Sequence, residues 1–315
     1  MQSITDIPRV SALNRDEFIT RYYVQSKPVV ITDYAKSWPA IQKWDARYLC
    51  DHLTQETVLC SRSASRKHPD FAAMHGQQTR AVQMSFREYV KHICTAPEDE
   101  IPKLALNRLV FMTGSKCEQK LHLNLDSLLD ELKVPDLIPA DDLEVGVTWI
   151  QGQGVQSWLH CDPYDNLYVQ IRGRKHIQLM DPAYWREVYL NTTNKGYCEV
   201  DAFEPDFEAF PMYASVPIVQ TILEPGELLY MPVFWFHAIQ SLGPVNITTN
   251  WWYRRQNLPL SQPSIWFLLQ RLLIHAFNHA ADEESARAVS KTSHELQQLL
   301  FGEKFLTTDD FYLRS

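Results

Sequence analysis

The sequence lacks several features that would assign it quickly to a functional class. Its six cysteines include no Cys-x-x-Cys pair, so no zinc finger is indicated and the thiols are expected to be reduced. The N-terminal segment lacks the basic and then apolar pattern of a secretory signal, so a cytoplasmic location is expected, or a nuclear one in a eukaryote. The longest apolar run, residues 265–277, falls short of the roughly 20 residues that cross a bilayer, so no membrane span is predicted.

Basic residues are also in the minority. Lys and Arg number 30 against 38 Asp and Glu, which gives a formal net charge of −8 and a pI near 5.8. This balance disfavours a protein covered in phosphate-binding surface, although a local basic groove can coexist with an acidic total. With 45% hydrophobic and 22% charged residues, the 315-residue chain has the composition of a folded globular protein.

The first part of the chain alternates short helices and strands. Asn14 followed by Glu17 forms a capping-box pattern and predicts the start of a helix. The β-branched residues after Pro28 predict a strand, and a further helix is expected from about Asp45.

The region from about residue 104 to 253 is rich in short strands separated by turn residues, which is typical of a barrel or sandwich. Within it, NLYVQIRGRKHIQLMDP is interpreted as two strands joined around Gly173. VQTILEPGELLYMP is interpreted as two strands joined by residues 224–227. From about Pro263 the pattern becomes helical.

The stretch SWLHCDPYDN contains two groups able to hold a metal, His160 and Asp162. If both lie on one strand, they point to the same face, because side chains alternate with a period of two. A third ligand could be His237, which a reversing turn could bring to face His160 across a small barrel. Two histidines with one carboxylate are typical of non-haem Fe(II) oxygenases. His176 and His122 remain rival ligands, and a histidine packed among core aromatics remains the structural alternative for His237.

Three segments in this order carry a family resemblance: HCDPYDNLYVQIRGRKHIQL, LEPGELLYMPVFWFHAIQSL and NITTNWWY. They resemble the JmjC-type, cupin-like Fe(II)/2-oxoglutarate-dependent oxygenases, and within them the small hydroxylases acting on asparagine of hypoxia-inducible factor or on wybutosine in tRNA. The similarity covers about residues 15–255, because KPVVITDYAKSWPAIQKW also resembles the N-terminal pattern of the family.

The resemblance implies a mostly β fold with flanking helices. Its centre is a double-stranded β-helix, also called a jelly roll or cupin core, with N-terminal α/β elements and a C-terminal helical tail. We therefore expect an oxygenase domain over residues 1–257, with its core at about 104–255. Residues 258–315 form the expected helical region, a possible dimerisation element, and the apolar run at 265–277 favours a homodimer.

The resemblance also implies the site residues. His160, Asp162 and His237 would hold Fe(II), and Lys175 would bind the distal carboxylate of 2-oxoglutarate. A dianionic cosubstrate buried in a barrel needs such a fixed cation. The neighbouring Arg174 should face the other way. Further implied cosubstrate residues are Asn166, Ser157 and Asn250, with Asn246 as the alternative to Asn250. No tyrosine of the cosubstrate pocket aligns.

The implied reaction is hydroxylation of an unactivated C–H bond, with no catalytic residue beyond the metal ligands. An aspartate ligand rather than a glutamate favours stable hydroxylation over demethylation, and the expected substrate is a protein or peptide side chain. The alternatives are a hydroxylase of a modified tRNA base or small molecule, supported by the basic loop at 62–68, and a non-catalytic metal-binding cupin. The long segment 192–217 is expected to border the active-site mouth, and its acidic and aromatic residues suit a basic or apolar partner.

Overall fold

The computed structural model describes residues 2–53, 57–62, 80–95, 104–106, 109–113, 128, 130–190 and 197–255. The predicted tail helix and dimerisation region, His122, and all but the first residue of the basic loop lie outside the described residues. None of the described helices is long and apolar enough to span a membrane.

The described elements alternate in the first part of the chain and are mostly strands afterwards. The helices are α1 (Arg15–Phe18, continued by a π-helical turn, Ile19–Tyr23), α2 (Pro39–Lys43), α3 (Ala46–His52) and α4 (Phe86–Thr95). The strands are β1 (Ile4–Asp6), β2 (Arg9–Val10), β3 (Val29–Ile31), β4 (Thr57–Arg62), β5 (Arg80–Ser85), β6 (Leu104–Leu106), β7 (Leu109–Thr113), β8 (Leu143–Gln151), β9 (Gln156–His160), β10 (Asp165–Met180), β11 (Ile218–Leu223), β12 (Leu228–Met231) and β13 (Phe236–Tyr253). Short 3-10 turns cover Ala140–Asp142, Pro182–Tyr184 and Pro211–Ser215.

Helices α1 and α3 begin where the sequence predicts, whereas α2 was not predicted. Asn14 Oδ1 accepts a hydrogen bond from the backbone N–H of Glu17 at 3.0 Å, and the Glu17 carboxylate accepts from Asn14 in return. Asp45 caps α3 by accepting from the N–H of Tyr48 at 2.7 Å. Both caps satisfy backbone donors that have no partner inside the helix.

Two long strands, β10 and β13, organise the sheet. They pair antiparallel along nearly their whole length. The first half of β10 pairs with β12 and its second half with β11, while the first half of β13 pairs with β9 and its second half with β8. The strands lie in the order β2-β3-β12-β10-β13-β8-β7. In addition, β11 pairs with β1 and β10, and β9 pairs with β13. This is the curled jelly-roll sheet that was predicted.

The interpretation of residues 166–182 as two hairpin strands is wrong, because β10 is one strand with a bulge. The pairing register shifts between Gln170 and Arg174. Gly173 lies there with φ +71°, and a Cβ on it would come within 2.4 Å of the Val245 carbonyl oxygen. Because glycine has no Cβ, the backbone at Gly173 can lie close to the Val245 carbonyl. Strand β10 therefore bends at this bulge and continues, and it does not reverse in a hairpin.

Each face of the bent sheet has its own core. On the outer face, Leu167, Val169 and Trp251 pack with Phe18 of α1 and with Trp44, which directly follows α2. On the inner face, a second cluster joins the two halves of the sheet and contains Tyr168, Ile177, Leu179, Leu229 and Ile239. The candidate site lies on this inner face.

A buried ion pair joins Arg255, which lies just after β13, to Asp165 at the start of β10. The Arg255 guanidinium lies 3.4 Å from the Asp165 carboxylate, donates to Ser26 Oγ at 2.8 Å and covers the Tyr23 ring at 4.3 Å. Asp165 also accepts from the Tyr230 hydroxyl at 2.7 Å. The side chains of Arg255 and Asp165 are 3% and 0% exposed, so neither charge is solvated.

We expect Arg255→Met to lower the free energy of unfolding by about 3 kcal/mol, because it leaves a buried carboxylate without its charge partner. Urea unfolding measures this loss. The matched control is Arg254→Met: Arg254 is 58% exposed and pairs with Glu144 at the surface, so its replacement should cost under about 1 kcal/mol. Equal losses in the two variants would contradict the assignment of Arg255 to the core.

Candidate metal centre

The three predicted ligands come together where β9 lies beside β13. His160 is the last residue of β9, and its register partner is His237. The expectation that Asp162 shares a strand with His160 is wrong, because Asp162 lies beyond the end of β9, where its backbone carbonyl accepts from the N–H of Phe234 at 2.9 Å. His237 also lies beside His160 rather than across a barrel from it.

The side chains of these residues converge on one point. One ligand atom from each of His160, Asp162 and His237 lies within 4.8 Å of the other two. The Nε2 atom of His237 is 3.8 Å from the Asp162 carboxylate, and the two imidazole centroids are 4.1 Å apart. The cluster is the one potential metal-holding group found among the described residues.

Backbone carbonyls fix the tautomer of both histidines. His160 Nδ1 lies 2.6 Å from the carbonyl of Trp158, and His237 Nδ1 lies 3.0 Å from the carbonyl of Trp235. A carbonyl only accepts, so Nδ1 must carry the proton in each ring. Both Nε2 lone pairs are therefore left for a metal, which is the usual orientation of a metal-binding histidine.

The electrostatic surroundings of His237 favour its role as a metal ligand over an ion pair with Asp162. Burial, together with the neighbouring His160, lowers the pKa of His237 to about 4, and Asp162 offsets this only in part. The His237 imidazole is therefore neutral near pH 7, and its contact with Asp162 is not a salt bridge. Two imidazoles and one carboxylate are a donor set that fits a divalent transition metal such as Fe(II).

The rival ligand His176 does not join this cluster. It lies on β10, where its Nε2 is 3.0 Å from Gln220 Oε1 and its ring packs against Phe203. Asn246 is likewise engaged elsewhere, since its amide donates to the carbonyls of Leu242 and Gly243 at the bend of β13.

Lys175 points into the inner face of the sheet. It is 2% exposed, and its Nζ donates to Gln151 Oε1 and to the Tyr168 hydroxyl, both at 2.9 Å. Tyr168 and Lys175 are seven residues apart on one strand, which is about 23 Å of straight backbone, so their contact requires the bend at Gly173. In the described part of the chain, no carboxylate lies within ion-pair distance of Lys175. The neighbouring Arg174 faces outward, as predicted, and lies 3.9 Å from Glu224.

Gln151 and Tyr168 contact Lys175, and neither was predicted as a cosubstrate residue. The resemblance aligns no tyrosine of the cosubstrate pocket, yet Tyr168 lies on the same strand as Lys175 and reaches it. A hairpin at Gly173 would not bring the two side chains together in this way. The signal that could have found Tyr168 is its placement in the inward-facing alternation that begins at Asn166.

The other expected cosubstrate residues also lie on the inner face. Ser157 is on β9, and its Oγ accepts from the N–H of Ile239 at 2.9 Å, which leaves the hydroxyl proton available. Asn166 and Asn250 are buried on β10 and β13, and Asn250 Nδ2 donates to Asn166 Oδ1 at 3.1 Å.

The long segment before β11 does reach the metal centre. Tyr197 pairs with His160 through the backbone, and its ring stacks on the imidazole at 5.3 Å between centroids. Beyond it, Glu204, Asp206 and Glu208 are exposed beside Phe207, which is 45% exposed. Residues 197–217 contain no Lys or Arg.

The buried Lys175 should make the stability of the metal-free protein depend on pH. Burial lowers the pKa of Lys175 to about 7, below its ordinary value of 10.5. At a pH between these two pKa values, Lys175 is protonated in the unfolded chain and neutral in the native state. The free energy of unfolding should therefore rise with pH over this range. Urea unfolding at pH 7.5 and 9.5 should show a larger rise for the wild type than for Lys175→Met. Equal pH dependence in the two proteins would contradict a neutral buried amine.

Comparison with known proteins agrees with this architecture. The cupin-like domain family matches residues 15–258. JmjC domain-containing protein 5 of Drosophila melanogaster is 26% identical over 255 residues, which cover 78% of this chain and 60% of that protein. Lysine-specific demethylase 8 of Xenopus tropicalis is 27% identical over 266 residues, which cover 80% of this chain and 54% of that protein.

A further relative, tRNA wybutosine-synthesizing protein 5 of Gallus gallus, is 26% identical over 248 residues, which cover 76% of this chain and 74% of that protein. The chain thus spans little more than half the length of the first two relatives. The family match covers most of the chain, including all three residues of the metal cluster. The chain belongs to the cupin-like domain family of JmjC type.

Proposed function

We propose that the protein is an Fe(II)- and 2-oxoglutarate-dependent oxygenase that hydroxylates a C–H bond on a protein or peptide side chain. One observation carries the cosubstrate assignment: Lys175 is a buried amine with no acidic partner in the described part of the chain. Protonating this amine is costly without a counter-ion, so an anionic ligand would stabilise its charged form, and the site is suited to such a ligand. The metal assignment is supported by the donor set of His160, Asp162 and His237.

With both bound, such a centre couples oxidative decarboxylation of 2-oxoglutarate to insertion of one atom of dioxygen into the substrate C–H bond. The residues of this chain supply binding and orientation. The carbonyls of Trp158 and Trp235 hold the two imidazoles with Nε2 toward the metal. Lys175, positioned by Gln151 and Tyr168, anchors the carboxylate distant from the metal. The inner apolar cluster excludes water from this end of the pocket.

A protein or peptide substrate is supported by the exposed acidic surface of the segment that follows Tyr197, whose ring stacks on His160. The exposed carboxylates of Glu204, Asp206 and Glu208, in a segment without basic residues, would repel a phosphate backbone and attract basic side chains. The likeness to a protein named as a lysine-specific demethylase supports a protein substrate as well.

A tRNA substrate is the second candidate, favoured by the likeness to a protein named for wybutosine synthesis.

To test both candidates, purified protein with Fe(II), ascorbate and 2-oxoglutarate is incubated with a library of basic and neutral peptides and, in parallel, with total tRNA. Mass spectrometry then detects a gain of about 16 Da and the matching succinate. Oxidation of a peptide supports the proposed protein or peptide substrate. Oxidation found only in tRNA nucleosides supports a tRNA substrate instead. Absence of succinate in every reaction contradicts the proposed activity itself.

A further inference from the structure

Three polar side chains form a chain of hydrogen bonds on the inner face of the sheet. The indole Nε1 of Trp149, on β8, donates to Asn250 Oδ1 at 2.7 Å. Asn250 Nδ2, on β13, then donates to Asn166 Oδ1 at 3.1 Å. Asn250 is 1% exposed and Asn166 is 5% exposed, so water competes little for these bonds.

The direction of every bond in this chain is set by Trp149. An amide can turn over and exchange its oxygen for its nitrogen, but an indole N–H can only donate. Asn250 must therefore present its oxygen to Trp149 and its NH2 group to Asn166. Asn166 must in turn present its oxygen to Asn250, so its own NH2 group points away from this chain.

The NH2 group of Asn166 has no acceptor among the described residues. The nitrogen is not among the fully enclosed polar atoms without a partner, so it keeps some exposure to solvent. Asn166 lies on the inner face together with Tyr168, and it follows Asp162 closely in the chain. A free donor in such a place is suited to a carboxylate oxygen.

We propose that Trp149 is a positioning residue for the cosubstrate: through Asn250 it fixes the Asn166 amide so that its NH2 group, and not its oxygen, faces a carboxylate of 2-oxoglutarate. This inference rests on the proposed function. Asn250 then acts within the relay rather than as a ligand of 2-oxoglutarate, because its oxygen and one N–H are held by Trp149 and Asn166.

The test is calorimetric titration of the Mn(II)-loaded protein with 2-oxoglutarate. Trp149→Phe keeps an aromatic side chain but removes the indole N–H. The Asn250 amide can then turn over, which lets the Asn166 amide turn its oxygen to the carboxylate. We expect the dissociation constant to rise about fivefold, the loss expected for about one hydrogen bond. Asn250→Ala interrupts the same relay and should have a similar effect, which keeps the test available if Trp149→Phe folds poorly. The matched control is Trp252→Phe, since the buried indole N–H of Trp252 has no acceptor in the described structure.

A double-mutant cycle separates this role from a general structural one. Once Asn166→Ala has removed the end of the relay, adding Trp149→Phe should change the dissociation constant no further. Turnover of the iron enzyme should show the same pattern, with an increased KM for 2-oxoglutarate and little change in kcat. Additive effects of the two substitutions, or an unchanged affinity in both relay variants, would overturn the inference. A wild type that does not bind 2-oxoglutarate would instead overturn the proposed function.

Discussion

Asp162→Ala is expected to weaken Fe(II) binding more than about 100-fold and to remove turnover, because it deletes the anionic member of the cluster. Loss of an outer-shell partner alone costs about 10- to 100-fold in metal affinity, and loss of a direct ligand should exceed that. Equilibrium dialysis with Fe(II) under nitrogen measures the affinity.

Asp206→Ala is the matched control for Asp162, since Asp206 is an exposed aspartate on the segment that follows Tyr197. Its replacement should leave Fe(II) affinity unchanged. Because Asp162 lies outside the strands, beyond the end of β9, its truncation should not disturb the strand pairing, which thermal unfolding can verify. Wild-type Fe(II) affinity in Asp162→Ala would contradict its assignment as a ligand.

Lys175→Met is expected to weaken 2-oxoglutarate binding by about 30-fold or more while Fe(II) affinity stays the same. Removing one partner of a buried charge pair costs about 2 to 5 kcal/mol, and each 1.4 kcal/mol is about tenfold in affinity. Methionine fills a similar volume without the charge, so the pocket keeps its shape. Titration of the Mn(II)-loaded protein with 2-oxoglutarate measures the change.

The adjacent Arg174 provides the control for charge. It is also basic, but its side chain is 58% exposed and lies on the opposite face of β10. Arg174→Met should bind 2-oxoglutarate as the wild type does. If both variants lose affinity equally, the effect arises from the overall charge of the protein and not from a buried anchor.

Much of this architecture could be predicted from sequence because its signals are local. The caps at Asn14 and Asp45 depend on residues close in the chain, and the structure confirms both. The jelly-roll class followed from many short strands and from the family resemblance. The proximity of His160, Asp162 and His237 was expected on the same grounds, and the geometry brings these three residues together.

The remaining features depend on how the sheet bends, which local patterns do not report. Arg172, Gly173 and Arg174 look like a hairpin turn, and only the close approach of the Val245 carbonyl explains why the strand continues. The same bend brings Tyr168 to Lys175. The relay from Trp149 to Asn166 joins three strands, and the buried pair of Asp165 and Arg255 joins distant segments, so neither follows from sequence spacing. The expected tail helix and homodimer stay predictions.

The most direct test of the central claim is an anaerobic titration of the metal-free protein with Fe(II) and then 2-oxoglutarate, followed by visible absorption. A 2-oxo acid that chelates Fe(II) produces a charge-transfer band, which neither component gives alone. The account predicts this band in the wild type and in Arg174→Met, its absence in Asp162→Ala, and a much higher 2-oxoglutarate requirement in Lys175→Met. A folded wild type that binds Fe(II) yet develops no band at saturating 2-oxoglutarate would contradict the account.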